Sequence, residues 1–256
     1  MRVTADSLDA FYSTPLGGCA RAMVLRRLLS LWPDMAGQNA LGFGFGAPFL
    51  DAYRKSANRT VLVSPAGQGA VAHRSSRGVM ACVADDTLLP FTDNAFSRVL
   101  CVHALEEAED RAGLLRELWR VTEPEGRIVV VAAGRAGLWA RAESLPFGAG
   151  VPFTRTQLRA QLADAGFQPT VGSGALYGPP VARLMSPRLC DGFERAGELL
   201  WPGLAGLVMV EAIKRLYVEP DRGHRMRRRA PVFGTAAQPS LDTQTHERTT
   251  DREPAE

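Results

Sequence analysis

Apolar and polar residues follow two different rhythms along the chain, and these predict helices alternating with strands. Over Leu8–Trp32 the apolar residues recur three and four positions apart, as on one face of a helix, and Pro15–Gly18 is expected to interrupt it. A second amphipathic stretch is Glu109–Val121. Short apolar runs typical of buried strands are Arg59–Val63, Val79–Val83, Phe96–His103 and Arg127–Ala132. This alternation predicts βαβ units and a parallel sheet.

The rhythm changes after residue 134. Leu138–Phe153 is rich in glycine, proline and aromatic residues, which favours a loop or lid. Thr154 is expected to cap the helix that follows. The elements predicted beyond it are a helix at Gln157–Ala165, a glycine-broken strand at Phe167–Tyr177, a helix at Pro187–Leu200 and a last strand, with an antiparallel direction left open, at Gly206–Lys214.

The composition indicates a soluble globular protein, with 46% hydrophobic and 22% charged residues. A net charge of +3 does not point to nucleic acid or to an acidic membrane surface as a partner. The cysteines are scattered, which argues against a zinc site or a disulfide framework. No segment approaches a membrane span and the chain start lacks an apolar signal region, so the cytoplasm is the expected location.

Three glycines stand at every second position, Gly42, Gly44 and Gly46, and Pro48 follows them. We expect them to prevent an ordinary strand and to let the backbone turn and approach a ligand closely. Pro48 suits the first turn of a helix. A strand, a glycine turn and a helix start form the arrangement that cradles nucleotides in doubly wound folds. A flexible glycine-rich loop is the alternative.

Three segments together resemble the class I S-adenosylmethionine-dependent methyltransferases, especially the small-molecule group. They are G-F-G-F-G at Gly42–Gly46, D-D-T-L-L-P-F at Asp85–Phe91, and the pair His103–Asp110 and Arg116–Gly126. The resemblance covers about Gln38 to Ala132. It implies an α/β fold, a Rossmann-like doubly wound sheet of seven mostly parallel strands. S-adenosylmethionine would lie across the carboxyl ends of strands 1 to 4.

The resemblance also implies the cofactor site. The glycines would face the methionine and ribose parts, Asp85 would accept the adenine amino group, and Asp86 would replace it if the register shifts by one. His103 and Leu105 would line the pocket. The full set of predicted cofactor-binding residues is Gly42, Phe43, Gly44, Gly46, Ser64, Asp85, Asp86 and His103. No catalytic residue and no metal site is predicted.

Two positions depart from the family pattern. Ala40 stands where many members carry an acid two residues before the first glycine, and Ser64 stands where most end strand 2 with an acid that holds the ribose hydroxyls. Each lost carboxylate removes charge-assisted hydrogen bonds of about 1.5–3 kcal/mol. Either other groups compensate or the pocket no longer supports catalysis.

Several residues keep two interpretations. Asp85 and Asp86 could cap a turn. His103 fits a hydrogen-bonded pocket wall better than a general base. Tyr12 could close over the cofactor or pack in the core. The lid aromatics could contact substrate or cover the sheet; they are Trp139, Phe147 and Phe153. The acids expected to enrich a helix N-terminus are Glu106, Glu107, Glu109 and Asp110.

The predicted domain covers residues 1–218: N-terminal helices (8–32), a cofactor-binding half (38–133), and a lid with the C-terminal half (134–218). Residues 219–256 are polar and aperiodic, so a disordered tail is predicted. Its basic run at residues 222–229 could touch nucleic acid or acidic lipid, although such a run is more often a solvated tail. No nucleic acid, no membrane and no particular oligomeric state is predicted.

The leading hypothesis is methyl transfer from S-adenosylmethionine to a small-molecule acceptor, a displacement that requires alignment more than a base. A binding or regulatory module that kept the fold is the alternative. A nicotinamide-dependent dehydrogenase fits less well, because it expects G-x-G-x-x-G and an acid about 20 residues later.

Overall fold

The computed structural model describes residues 2–70, 80–142, 145–181 and 187–216. The predicted tail at 219–256, with its basic run at 222–229, lies outside the described residues, and the division into 1–218 and 219–256 stays a prediction. No helix in the described part of the chain combines the length and apolar character that crossing a bilayer requires.

Six α-helices are described, and their ends follow local chemistry. Thr4 and Thr14 cap the first two through their hydroxyls, and Pro15 occupies the first turn of the second. The predicted break between a short helix that contains Phe11 and Tyr12 and a longer helix is therefore confirmed, and it falls just before Pro15. Thr154 and Gln157 form a reciprocal capping box at the fifth. The helices are α1 (Ala5–Tyr12), α2 (Pro15–Leu31), α3 (Ala47–Leu50), α4 (Arg111–Val121), α5 (Arg155–Asp164) and α6 (Pro187–Leu200).

Seven strands form one sheet in the order β3-β2-β1-β4-β5-β7-β6. Neighbours from β3 to β5 are parallel, and β7 is antiparallel to both β5 and β6. The strands are β1 (Asn39–Gly44), β2 (Arg59–Pro65), β3 (Met80–Ala84), β4 (Phe96–Val102), β5 (Thr122–Ala133), β6 (Phe167–Ala175) and β7 (Leu207–Lys214). The predicted fold class and the antiparallel last strand are confirmed.

Two local predictions are wrong. Gly42 lies inside β1 and pairs with Leu62 and Leu100, so the alternating glycines do not exclude a strand. Pairing with the two neighbouring strands holds Gly42 extended, although glycine has no side chain that would favour a strand. The strand predicted at Arg127–Ala132 begins earlier, at Thr122, so Pro124–Gly126 lies within β5, whose pairing with β4 shifts register before Arg98.

The sheet carries a hydrophobic layer on each face, and successive residues of one strand enter opposite layers. Leu100 and Val102 join the layer that contains α1 and α2, whereas Val99 and Cys101 join the one that contains α4 and α5. This alternation fixes the register of the central strands, because a slip of one residue would exchange the two faces.

Candidate functional site

The chain makes a tight turn where β1 ends, against the carboxyl end of β4. Gly44 has φ +78°, and a Cβ there would lie 2.1 Å from the carbonyl oxygen of Val102. The Phe45 N–H donates to that same oxygen at 2.8 Å. Gly46, by contrast, has φ −81°. Gly44 is therefore required by the approach of β1 to β4, before any ligand is considered.

A cleft of about 160 Å³ lies beside this turn. Gly44, Phe45 and Ser64 form its sheet side, so three residues from the predicted glycine turn and the end of β2 meet there. Its other wall contains two carboxylates that the sequence analysis did not predict, Asp9 of α1 and Asp51 at the end of α3. The cleft is smaller than the roughly 300 Å³ at which small-molecule pockets begin.

Helix α1 occupies the space above the turn. The Tyr12 ring stacks on Phe45 with centroids 5.5 Å apart and an interplanar angle of 13°. Its hydroxyl lies 2.8 Å from His103 Nε2. Ahead of the helix, the Val3 N–H donates to Glu107 at 2.7 Å, and Arg2 forms an ion pair with Asp86. Tyr12 is therefore buried in the core, as one of its two interpretations expected, and its closure over a cofactor stays a prediction.

His103 directly follows β4 in a strained conformation, with φ +51° and 2% of its surface exposed. A positive φ is uncommon for a side chain of this size and occurs often at functional positions. Its carbonyl accepts from Gln68 Nε2 at 3.0 Å. Burial lowers the pKa of His103 to about 4, so the imidazole is neutral and suits the predicted hydrogen-bonded pocket wall.

Glu106 lies beside His103, with Oε1 3.7 Å from Nδ1, and it is 2% exposed. Burial raises its pKa to about 7, and the charge of Glu107 adds to the rise. Nearby backbone N–H groups, including that of Ala133, partly offset this rise in the pKa of Glu106. In the described part of the chain, however, no group is aligned to donate a hydrogen bond to either carboxylate oxygen of Glu106. An unpartnered buried carboxyl group with a near-neutral pKa is typical of functional sites.

The predicted role of the acids before α4 holds only in part. Asp110 caps α4 by accepting from the Gly113 N–H at 2.7 Å. Glu106 and Glu107 instead point toward His103 and Val3. The sequence signal that could have separated them is the apolar pair Ala104–Leu105, which is fully buried and brings Glu106 inside with it.

The two aspartates after β3 have different surroundings. Asp85 is exposed, and its Oδ1 accepts from both the amide (2.8 Å) and the hydroxyl (2.6 Å) of Thr87, bonds that lower its pKa. This is the turn-capping geometry. Asp86 is half-buried against Arg2, and burial raises its pKa despite that partner. Recognition of adenine by Asp85 stays a prediction.

The aromatic residues after β5 pack inside the molecule. Phe147 meets Phe11, His103 and Trp139 with ring centroids 5.0–5.5 Å apart. The Trp139 indole N–H donates to the Gly178 carbonyl at 2.8 Å. These rings cover the sheet next to His103, as one of the two interpretations expected. No group of three potential metal ligands occurs among the residues that the structure describes.

Comparison with known proteins agrees with this geometry. Residues 40–130 match the family model of the methyltransferase domain. Demethylmenaquinone methyltransferase of Mycolicibacterium paratuberculosis is 35% identical over 143 residues, which cover 50% of this chain and 62% of that relative. The chain therefore matches less than two thirds of the relative's length.

Two solved structures share the fold at low sequence identity. A Haloferax volcanii protein in complex with the Trm112 methyltransferase activator has a TM-score of 0.62 at 17% identity, covering 84% of this chain and 99% of that one. A Thermotoga maritima SAM-dependent methyltransferase has a TM-score of 0.60 at 17% identity, covering 81% and 94%. These two structures show a shared fold, and the match at residues 40–130 makes that part of the chain similar to the methyltransferase domain.

Proposed function

We propose that this protein transfers the methyl group of S-adenosylmethionine to a small-molecule acceptor. One observation carries the proposal: the region that matches the methyltransferase domain includes the tight Gly44 turn, and this turn opens on a cleft whose lining includes Asp9, Asp51 and Ser64. The cofactor supplies an activated sulfonium methyl group. The residues of this chain hold, orient and shield the reactants.

The groups around the turn suit such a cofactor. The Gly44 backbone allows close approach, and the Ser64 hydroxyl can donate to or accept from a ribose hydroxyl. Asp9 and Asp51 add carboxylates to the same cleft. These two residues provide charged carboxylate acceptors for hydroxyls or an ammonium group, which Ala40 and Ser64 lack. We propose that they replace the acids missing from β1 and β2.

The cleft is too small for the whole cofactor while α1 is docked, so we propose that α1 is a lid. This helix and the residues before it contact two of the predicted cofactor positions: Arg2 pairs with Asp86, and the Tyr12 hydroxyl lies 2.8 Å from His103 Nε2. Opening would free those groups, and closure would exclude water from the reacting atoms.

Glu106 and His103 are the proposed route for a proton released by the acceptor. A carboxyl group with a pKa of about 7 exchanges a proton readily near neutral pH. Neutral His103 lies between it and the Tyr12 hydroxyl, so the three side chains form a chain from the buried carboxyl group to the lid. An acceptor of the demethylmenaquinone type, which the M. paratuberculosis relative is named for, is the class we propose to test first.

A second candidate is a binding module without catalysis, which the small cleft and the docked α1 favour. Calorimetric titration with S-adenosylmethionine, its demethylated product and NAD separates the two. We expect both methyl-cycle ligands to bind and NAD not to bind. Failure of all three to bind would leave the binding-module function.

Ser64→Asp tests the proposed orientation of the cofactor. A carboxylate at the end of β2 would hold the ribose hydroxyls, so affinity should rise about five- to thirtyfold after part of the gain is lost to desolvation. Ser56→Asp, at an exposed position after α3, adds the same charge away from the cleft and should leave affinity unchanged. Unimproved binding by Ser64→Asp would contradict the proposed orientation.

A further inference from the structure

The end of α6 presents a cluster of large apolar side chains to solvent. Leu199 is 81% exposed, Leu200 60%, Trp201 54% and Leu204 52%. We call these four residues the 199–204 cluster. Single exposed leucines are ordinary, but a contiguous apolar patch marks a surface that binds something.

The exposure of the 199–204 cluster is fixed by the packing of the rest of α6. Glu194 and Gly197 are buried, and a Cβ on Gly197 would lie 2.3 Å from the Tyr177 side chain. The Glu194 carboxylate accepts from the Tyr177 N–H at 2.9 Å. Arg27 of α2 donates to both oxygens of Glu198 at 2.7 and 2.9 Å. The helix is therefore held against the protein through Glu194, Gly197 and Glu198, while the residues of the 199–204 cluster remain exposed.

Two arginines border the cluster without an acidic partner. Arg155 donates to the Pro202 carbonyl at 3.5 Å, and Arg135 donates to the Pro152 carbonyl at 3.3 Å. Within the described part of the chain, neither guanidinium has a carboxylate within 4.0 Å. Both line a groove of about 400 Å³ together with Pro202 and Gly203. Glu198, the acidic residue nearest to the 199–204 cluster in sequence, forms an ion pair with Arg27.

This surface lies at the same edge of the sheet as the glycine turn. The Gly134 N–H, just after β5, donates to the Gly206 carbonyl, just before β7, at 2.8 Å. The 199–204 cluster thus precedes β7 at the carboxyl ends of the parallel strands. Only β4 separates β5 from β1, whose end carries Gly44.

We propose that the 199–204 cluster, with Arg135 and Arg155, docks this protein onto an anionic phospholipid surface. Tryptophan is favoured at the boundary between headgroups and acyl chains, leucines insert beyond it, and unpaired arginines attract anionic headgroups. Docking in this way would turn the edge of the sheet that holds Gly44 toward the bilayer. Delivery of a lipid-borne acceptor to that edge would follow, and this last step rests on the proposed function.

The experiment is co-sedimentation of the full chain with vesicles of phosphatidylcholine, alone or mixed equally with phosphatidylglycerol. We expect binding to the anionic vesicles that weakens as salt is added. Trp201→Ser with Leu204→Ser should reduce it at least about tenfold, as should Arg135→Ser with Arg155→Ser. Leu29→Ser, at an apolar residue of α2 that is 40% exposed, is the matched control and should not change it.

Intrinsic fluorescence gives a second readout, because Trp201 is far more exposed than Trp32 at 2% and Trp139 at 0%. Trp119 is partly exposed, so a blue shift on adding anionic vesicles would place Trp201 in the bilayer interface if the Trp201→Ser/Leu204→Ser protein does not show it. No binding, or binding equal in all variants, would overturn the proposal. The proposal would also be overturned if the protein self-associates without binding vesicles and the Trp201→Ser/Leu204→Ser protein does not. The partner of the cluster would then be a second copy of this chain. Titration with S-adenosylmethionine without vesicles tests the proposed function separately.

Discussion

At the scale of single residues, the chemistry of the site is set by burial more than by neighbouring charge. Glu106 and His103 are equally inaccessible, and burial favours the neutral form of each, raising the pKa of Glu106 and lowering that of His103. Above about pH 4, His103 is therefore a neutral imidazole with a single ring N–H, whereas Glu106 keeps its carboxyl proton below neutral pH. Such a group can accept or release a proton with a small change in its environment.

The pH dependence of the free energy of unfolding, compared between the wild-type protein and Glu106→Gln, should show whether Glu106 holds this proton in the folded state. The folded pKa of Glu106 is about 7, against 4.5 for the ordinary group, so the folded state retains a proton that the unfolded state loses. The wild-type protein should therefore lose stability as pH rises from 4.5 to about 7, by up to about 3 kcal/mol, whereas Gln has no proton to lose. Urea unfolding should show equal stabilities near pH 4.5 and a more stable variant near pH 8.

Exposed Glu109→Gln is the control and should follow the wild-type curve. A Glu106→Gln difference that does not vary with pH would show that the carboxyl group is already ionised in the fold. His103 is unchanged in both proteins, so its opposite contribution between about pH 4 and 6.5 cancels from the difference.

At the scale of elements, α1 and the residues before it contact groups that we propose bind the cofactor. The helix is only eight residues long and is held by the stacked Tyr12 ring, the Val3 amide and the Arg2 ion pair. A helix this short has little stability of its own, so its position depends on these contacts. It is suited to opening while the sheet remains intact.

Arg2→Ala should loosen this helix and speed the entry of S-adenosylmethionine by roughly threefold or more, as expected when a lid limits access. Stopped-flow fluorescence measures the association rate. Arg26→Ala removes an ion pair with Asp191 whose two side chains are half exposed, and it should leave the rate unchanged. An unchanged rate in Arg2→Ala would argue against the lid.

Some elements could be predicted from the sequence and others could not. Strands with apolar residues on both faces, such as β4, and the capped helix α5 could be predicted because each carries a clear local signal in its own sequence. The extent of β5 could not, because Pro124 and Gly126 are local breakers that only pairing with a neighbouring strand overrides. The glycine turn was identifiable from spacing, whereas Asp9 and Asp51 reach the cleft through tertiary packing alone.

At the scale of the whole molecule, Glu211 connects parts of the chain that are distant in sequence. Its carboxylate, 2% exposed, accepts from Trp32 Nε1 at 3.0 Å, from Arg127 at 3.0 and 3.1 Å, and from Thr170 Oγ1 at 2.8 Å. These donors lie at the end of α2, on β5 and on β6. The buried charge is thereby satisfied on both sides of β7.

Glu211→Ala should reduce the free energy of unfolding by about 3 kcal/mol, because it leaves the buried donors without an acceptor, although half-exposed Arg127 regains water. Glu198→Ala, which removes a carboxylate that is 53% exposed, should cost less than about 1 kcal/mol. Urea denaturation of both proteins provides the comparison. Equal losses would show that Glu211 contributes no more than a surface ion pair.

The position of β7 between β5 and β6 has a consequence for a nascent chain on the ribosome. By the time β6 is made, β5 is already present, but the two strands are not neighbours, and the strand that joins them is translated last. Until residue 214 emerges, one edge of β5 and the whole of β6 lack their partners. Open apolar edges of this kind aggregate readily, so this interval is when the protein would depend most on chaperones.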